Sequence, residues 1–99
     1  LLRLSEVVVW ASCLGLTLGC SRPLTGDECY QLLDHYTERL AHSKDPDLPD
    51  PEVERLQREA RKKAGEDPEF LRCSAKVSRS QWDCAMHAPS VDEVERCLL

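Results

Sequence analysis

Aromatic side chains are scarce in this chain. One Phe, two Tyr and two Trp are spread over 99 residues, with a single Met and three His. A chain this short has room for one domain at most, and its core is too small to be comfortably stable by burial alone. Domains of that size usually add disulfides, a metal or a partner. The sequence also lacks CxxC, HExxH and G-x-S-x-G. The first absence excludes the short-spaced thiol pair of redox enzymes, and the others exclude common zinc-protease and serine-hydrolase signatures. No convincing nucleophile–base pair replaces them, so catalysis is not expected. Positive charge is not in excess either. Lys and Arg number 13 against 18 Asp and Glu, a formal charge of −5, and the two signs are interspersed. A nucleic-acid face would favour the opposite balance.

What is present is concentrated at the N-terminus and in the cysteines. Residues 1–20 read LLRLSEVVVWASCLGLTLGC. Arg3 supplies a weak positive end. Val7 to Leu18 then runs without a charge, and it is too short for a membrane span of about 20 residues. That is the pattern of a secretory signal. Leu16-Thr17-Leu18-Gly19-Cys20 closes the run, and this stretch resembles the lipobox of bacterial lipoprotein precursors. The resemblance implies cleavage before Cys20, diacylglycerol on the Cys20 thiol and often acylation of the new amino group. It also implies a membrane partner through that anchor, on the periplasmic side or at the surface of a bacterial cell envelope. Residues 1–19 are then a lipoprotein signal peptide and 20–24 a lipidated Cys with a tether. The alternative is a secreted small disulfide-bonded effector or inhibitor without lipid.

The chain after the tether is punctuated by helix starts. Thr25 with Glu28, Ser78 with Gln81 and Ser90 with Glu93 have capping-box spacing. Asp50-Pro51 and Asp67-Pro68 are start signals of a second kind, an Asp cap before a proline. Cys29, Leu32, Leu33, Tyr36 and Leu40 lie on one face of a first helix, with His35, Glu38 and His42 opposite. Three prolines in Lys44–Pro51 end it. Val53, Leu56, Ala60 and Ala64 form a narrower stripe, with Gly65 placed to end that helix. Phe70, Leu71, Ala75 and Val77 suggest a short third helix, and Pro89 divides the remainder in two. No stretch alternates as a strand would. The expectation is an all-α fold: a small disulfide-stapled helical domain over residues 25–99, with about five helices, three of them short.

Six cysteines stand at positions 13, 20, 29, 73, 84 and 97. Cys13 leaves with the signal and Cys20 carries lipid, so Cys29, Cys73, Cys84 and Cys97 remain. An even set in a small exported domain reads as two disulfides, with three possible connectivities. A hairpin turning at Pro89 brings Cys84 level with Cys97, which favours Cys84–Cys97 with Cys29–Cys73. Cys73–Cys84 is the rival, because Ser78 lies nearly midway between them.

Cys73, Trp82, Cys84, Ala85, Ala88, Ser90, Glu93 and Cys97 resemble a pattern in small cysteine-containing helical lipoproteins of deltaproteobacterial type, mostly uncharacterised. That resemblance covers about a quarter of the chain. It implies a helical hairpin and brings no activity with it.

Other candidates have plainer explanations. His35, Glu38 and His42, or Cys84 with His87, are residue types that bind first-row metals. However, the two histidines are two turns apart and Cys84 is better used in a disulfide, so no metal or other cofactor is expected. Arg55, Arg58, Arg61, Lys62 and Lys63 form a basic run, but Glu54 with Arg58 and Glu59 with Lys63 are favourable i,i+4 pairs on a solvated helix. The function expected from all this is a membrane-tethered, non-catalytic module binding another protein or surface component of the envelope.

Overall fold

The computed structural model describes residues 22–99. The expected signal segment and Cys20 lie outside the described residues. Two capping boxes form as spaced. Glu28 N–H donates to Thr25 Oγ1 at 3.1 Å while Thr25 N–H donates to Glu28 Oε1 at 3.0 Å. This opens α1, Gly26–Lys44. Ser78 and Gln81 exchange the same two bonds at 2.8 and 3.1 Å and open α4, Arg79–His87. The Ser90 box is half made: its hydroxyl accepts from Glu93 N–H, starting α5, Val91–Cys97, but the Glu93 side chain does not return the bond.

Between α1 and α4 lie α2, Asp50–Ala64, a single 3-10 turn at Phe70–Arg72, and α3, Cys73–Lys76. All regular structure among the described residues is helical. Two local expectations are corrected, and a third is met by a different backbone geometry. The α2 cap is Pro49 rather than Asp50, with its carbonyl accepting from Glu52 and Val53 N–H at 3.0 and 3.2 Å. Pro51 sits inside the first turn, where N–H groups have no helical partner and its missing donor costs nothing. Gly65 does cap the end of α2, as expected, but with φ −63°, ordinary right-handed backbone rather than a left-handed turn. Glu66 and Asp67 tighten onto Lys63 and Ala64 carbonyls instead, and Pro68 then drives the preceding residue away from helical geometry. The third apolar segment does not make one helix. Leu71 is 61% exposed and Ala75 is exposed, so only Phe70 and Val77 have apolar surroundings to hold them.

Packing is organised around α1. Every residue from Leu32 to His42 is at least half-buried. The centre of the core joins Leu32 to Ala85 and Ala88 of the α4 end and to Val94 of α5, with Tyr36, Trp82, Met86 and Leu98 around them. On the opposite flank α2 buries Val53 and Ala64, and Leu56 and Ala60 are half-buried. A helix flanked on two sides has little free polar face. His35, expected to face water, has Nε2 3.0 Å from the Ala88 carbonyl, and Arg39 donates to the Pro89 carbonyl at 3.2 Å.

The disulfides join Cys29 to Cys73, with Cα atoms 6.2 Å apart, and Cys84 to Cys97 at 5.6 Å. One ties α1 to α3, the other α4 to α5. This is the connectivity favoured by a hairpin turning at Pro89.

Candidate functional site

Among the described residues, an apolar groove of about 510 Å³ lies beside the Cys29–Cys73 bridge. Its floor is the groove-facing row of α1: Cys29, Leu32, Leu33 and Tyr36, four residues at helical spacing. One wall is Phe70, Cys73 and Val77 from the segment that the disulfide pins to α1. The other is Leu98 and Leu99, which follow α5. The rim is charged. Glu69 and Lys76 are ion-paired across the outer wall, and Tyr36 Oη donates to Glu95 Oε2 at 3.1 Å. Burial of the Tyr36 ring, and then the Glu95 carboxylate, raises the phenol pKa, so the hydroxyl stays a donor. An apolar lining with a few polar groups at its mouth is the usual construction of a small-ligand site.

A half-buried cluster at the start of α1 positions the groove walls. Arg79 clasps Glu28 in a two-pronged ion pair, Nη1 to Oε2 at 2.6 Å and Nη2 to Oε1 at 2.9 Å, with both side chains 17% exposed. Arg79 also donates to the Pro23 carbonyl, and its guanidinium lies 5.8 Å from the centre of the Trp82 ring. Trp82 Nε1 donates to the Glu28 carbonyl at 2.9 Å. Leu24 is buried just upstream, so the last residue of the expected tether belongs to the folded body. Two-pronged carboxylate–guanidinium contacts give direction as well as energy. Here they lock α4 against the N-terminus of α1.

The Arg79 hydrogen bonds, then the Thr25 backbone N–H, lower the Glu28 pKa from 4.5 to about 2. A carboxylate depressed in the folded state contributes stability that is present above its unfolded pKa and lost as pH falls through the folded one. The expected result is an acid-sensitive loss of stability that begins near pH 4.5 and is complete only below about 2. In Glu28→Gln, urea midpoints followed over that range should fall less steeply than in the parent. Superimposable pH profiles would remove the clasp from the account of acid stability.

A second polar tie sits on the other flank. Arg61 grips Asp34 with Nη2 2.7 Å and Nε 3.0 Å from the carboxylate, and its guanidinium lies 5.1 Å from the Tyr30 ring centre. Gln57 donates to the Asp34 carbonyl at 3.0 Å. Arg61 is therefore part of the α1–α2 contact and not of a freely solvated basic face. Arg55 takes Glu52 and Glu59, in place of the expected Glu54–Arg58 and Glu59–Lys63 pairs.

Of the residues singled out from the sequence, the structure brings the four cysteines together in two pairs. It does not assemble His35, Glu38 and His42. His35 is turned to the Ala88 carbonyl and Glu38 pairs with Arg39. His87 Nδ1 lies 2.7 Å from the Asp83 carbonyl of its own helix while Cys84 is bonded to Cys97. Among the described residues, no three His, Cys, Asp or Glu are grouped to hold a metal ion, and no helix is long and apolar enough to cross a membrane. The groove and the Glu28–Arg79–Trp82 cluster were not apparent from sequence. Glu28 reads there as a capping residue and Arg79 as the first residue of a helix, and nothing local signals that the two meet. Comparison with protein-family models, with curated proteins and with solved structures found no match.

Proposed function

We propose that the chain is a lipid-anchored, non-catalytic interaction module of a bacterial cell envelope, attached to the membrane through Cys20. One observation carries the reading: a run without charge from Val7 to Leu18 that ends in Gly19-Cys20. The chemistry of that anchor needs a thiol to take the diacylglycerol and a small residue before it, so that a peptidase reaches the bond. Two disulfides in a domain this small fit an oxidising compartment outside the cytosol. The folded body begins at Leu24, four residues beyond Cys20, which leaves a short connection from membrane to domain. A single fatty chain binds membranes only marginally, so the anchor requires more than one. The groove beside Cys29–Cys73 is the surface with which the module would take an apolar ligand or segment.

The expected result for Cys20→Ala is an uncleaved or soluble product, whereas the parent fractionates with membranes and its N-terminal peptide carries a diacylglycerol mass. A Cys20→Ala protein still cleaved at the same bond and held by lipid would overturn the reading.

A further inference from the structure

The beginning of the folded body and the apolar groove share a wall. Arg22 and Pro23 lie against the Ser74–Ser80 segment in a cleft of about 310 Å³, and Lys76 and Val77 line both that cleft and the groove. Pro23 is held there by Arg79, which donates to its carbonyl, and Leu24 is buried directly after it. The point from which the chain leaves toward Cys20 is therefore fixed next to the groove. Cys20 precedes Arg22 by two residues, a reach of at most about 7 Å of extended chain before any length of lipid is added. The groove itself is lined by Leu33, Phe70, Val77, Leu98 and Leu99, and its mouth is open enough to leave Leu99 96% exposed. Its volume of about 510 Å³ falls within the range of roughly 300–1,000 Å³ in which proteins bury small apolar ligands.

We infer that the groove is the seat of one acyl chain of the protein's own lipid, folded back from Cys20 across the Lys76–Val77 wall. This rests on the anchor reading above and adds to it a destination for the chain. The physical reason is the cost of apolar surface in water. An acylated protein outside a bilayer exposes its fatty chains, and a groove next to the attachment point shelters one of them without a second molecule. Attachment also favours this occupant over free lipid, because a tethered ligand acts at a high effective concentration. The Cys29–Cys73 bridge holds the floor of this seat to one wall.

The test is an intramolecular photo-crosslink in the full exported chain. The photoreactive residue p-benzoylphenylalanine replaces Leu33 in one variant, Leu99 in a second and the exposed Glu54 of α2 in a third. The protein is purified in detergent, irradiated and analysed by peptide mass. The expected product joins residue 33, and separately residue 99, to the lipid on the Cys20 peptide, with a yield roughly tenfold or more above that from residue 54. Leu99 is so exposed that its replacement leaves the fold intact even if Leu33 does not tolerate the change. A Cys20 peptide with lipid whose crosslinks go to phospholipid, to detergent, to a second copy, or nowhere above the Glu54 level would overturn the inference alone. A Cys20 peptide without lipid would overturn the anchor reading, and this inference with it.

Discussion

Replacing both Cys29 and Cys73 by Ala is expected to cost about 4 kcal/mol, against about 3 kcal/mol for Cys84 and Cys97, on the loop-closure entropy of the unfolded chain. The bridges are separated by 44 and 13 positions along the chain, so the longer one restrains far more of it. The structure widens the gap. Cys29 is 3% exposed at the groove floor, so its loss also removes buried apolar surface, whereas Cys84 stands at the surface. The helices joined by Cys84–Cys97 are also held by Ala85 and Val94, both fully buried. The four-residue α3 has no fully buried residue, and its chief tie to α1 is the disulfide. Against a total stability of about 5 kcal/mol for a small domain, the first double variant should be close to unfolded at room temperature. Urea melts of the two variants decide the ranking. Equal midpoints at matched m-values would show that loop length is not what the longer bridge contributes.

The second large effect is expected at Leu32. Leu32→Ala should destabilise the domain by about 2–5 kcal/mol, the range for emptying a leucine-sized space in a core. Leu32 is the α1 residue at the centre of the main core and is 7% exposed. Its buried neighbours Ala85 and Ala88 are too small to fill the space, which leaves that to the half-buried Met86 and Leu98. A thermal melt of Leu32→Ala that lay within a degree or two of the parent would mean the groove side had collapsed to fill the space. Leu33→Ala is the comparison and should cost less, since both residues line the groove but Leu33 is only half-buried, whereas Leu32 is buried in the core behind it.

Much of the architecture was written in the sequence, because helix starts and stops depend on residues within four positions of one another. Thr25 and Glu28, Ser78 and Gln81, and the prolines at 49, 51, 68 and 89 act on their own backbone whatever the rest of the chain does. The all-helical class and the approximate bounds of α1, α2, α4 and α5 follow from such signals. The favoured cysteine connectivity also followed from a local feature, the turn at Pro89, although spacing alone left a rival open.

Tertiary structure decided what those helices do to one another. The polar face of α1 is periodic in the sequence and reads as solvent-facing. In the fold, α2 covers one flank and the α4–α5 hairpin the other, so His35 and Arg39 are turned to the Ala88 and Pro89 carbonyls at a helix interface. Arg61 and Asp34 are 27 residues apart, and Glu28 and Arg79 are 51 apart. A charge pair at such separations exists only once the elements carrying it have docked, and no local pattern encodes it. The groove has the same origin. Its floor is legible as a helical stripe, but a stripe reads equally as core or as open surface. The disulfide to Cys73 and the placement of Leu98 and Leu99 after α5 shape it into a groove.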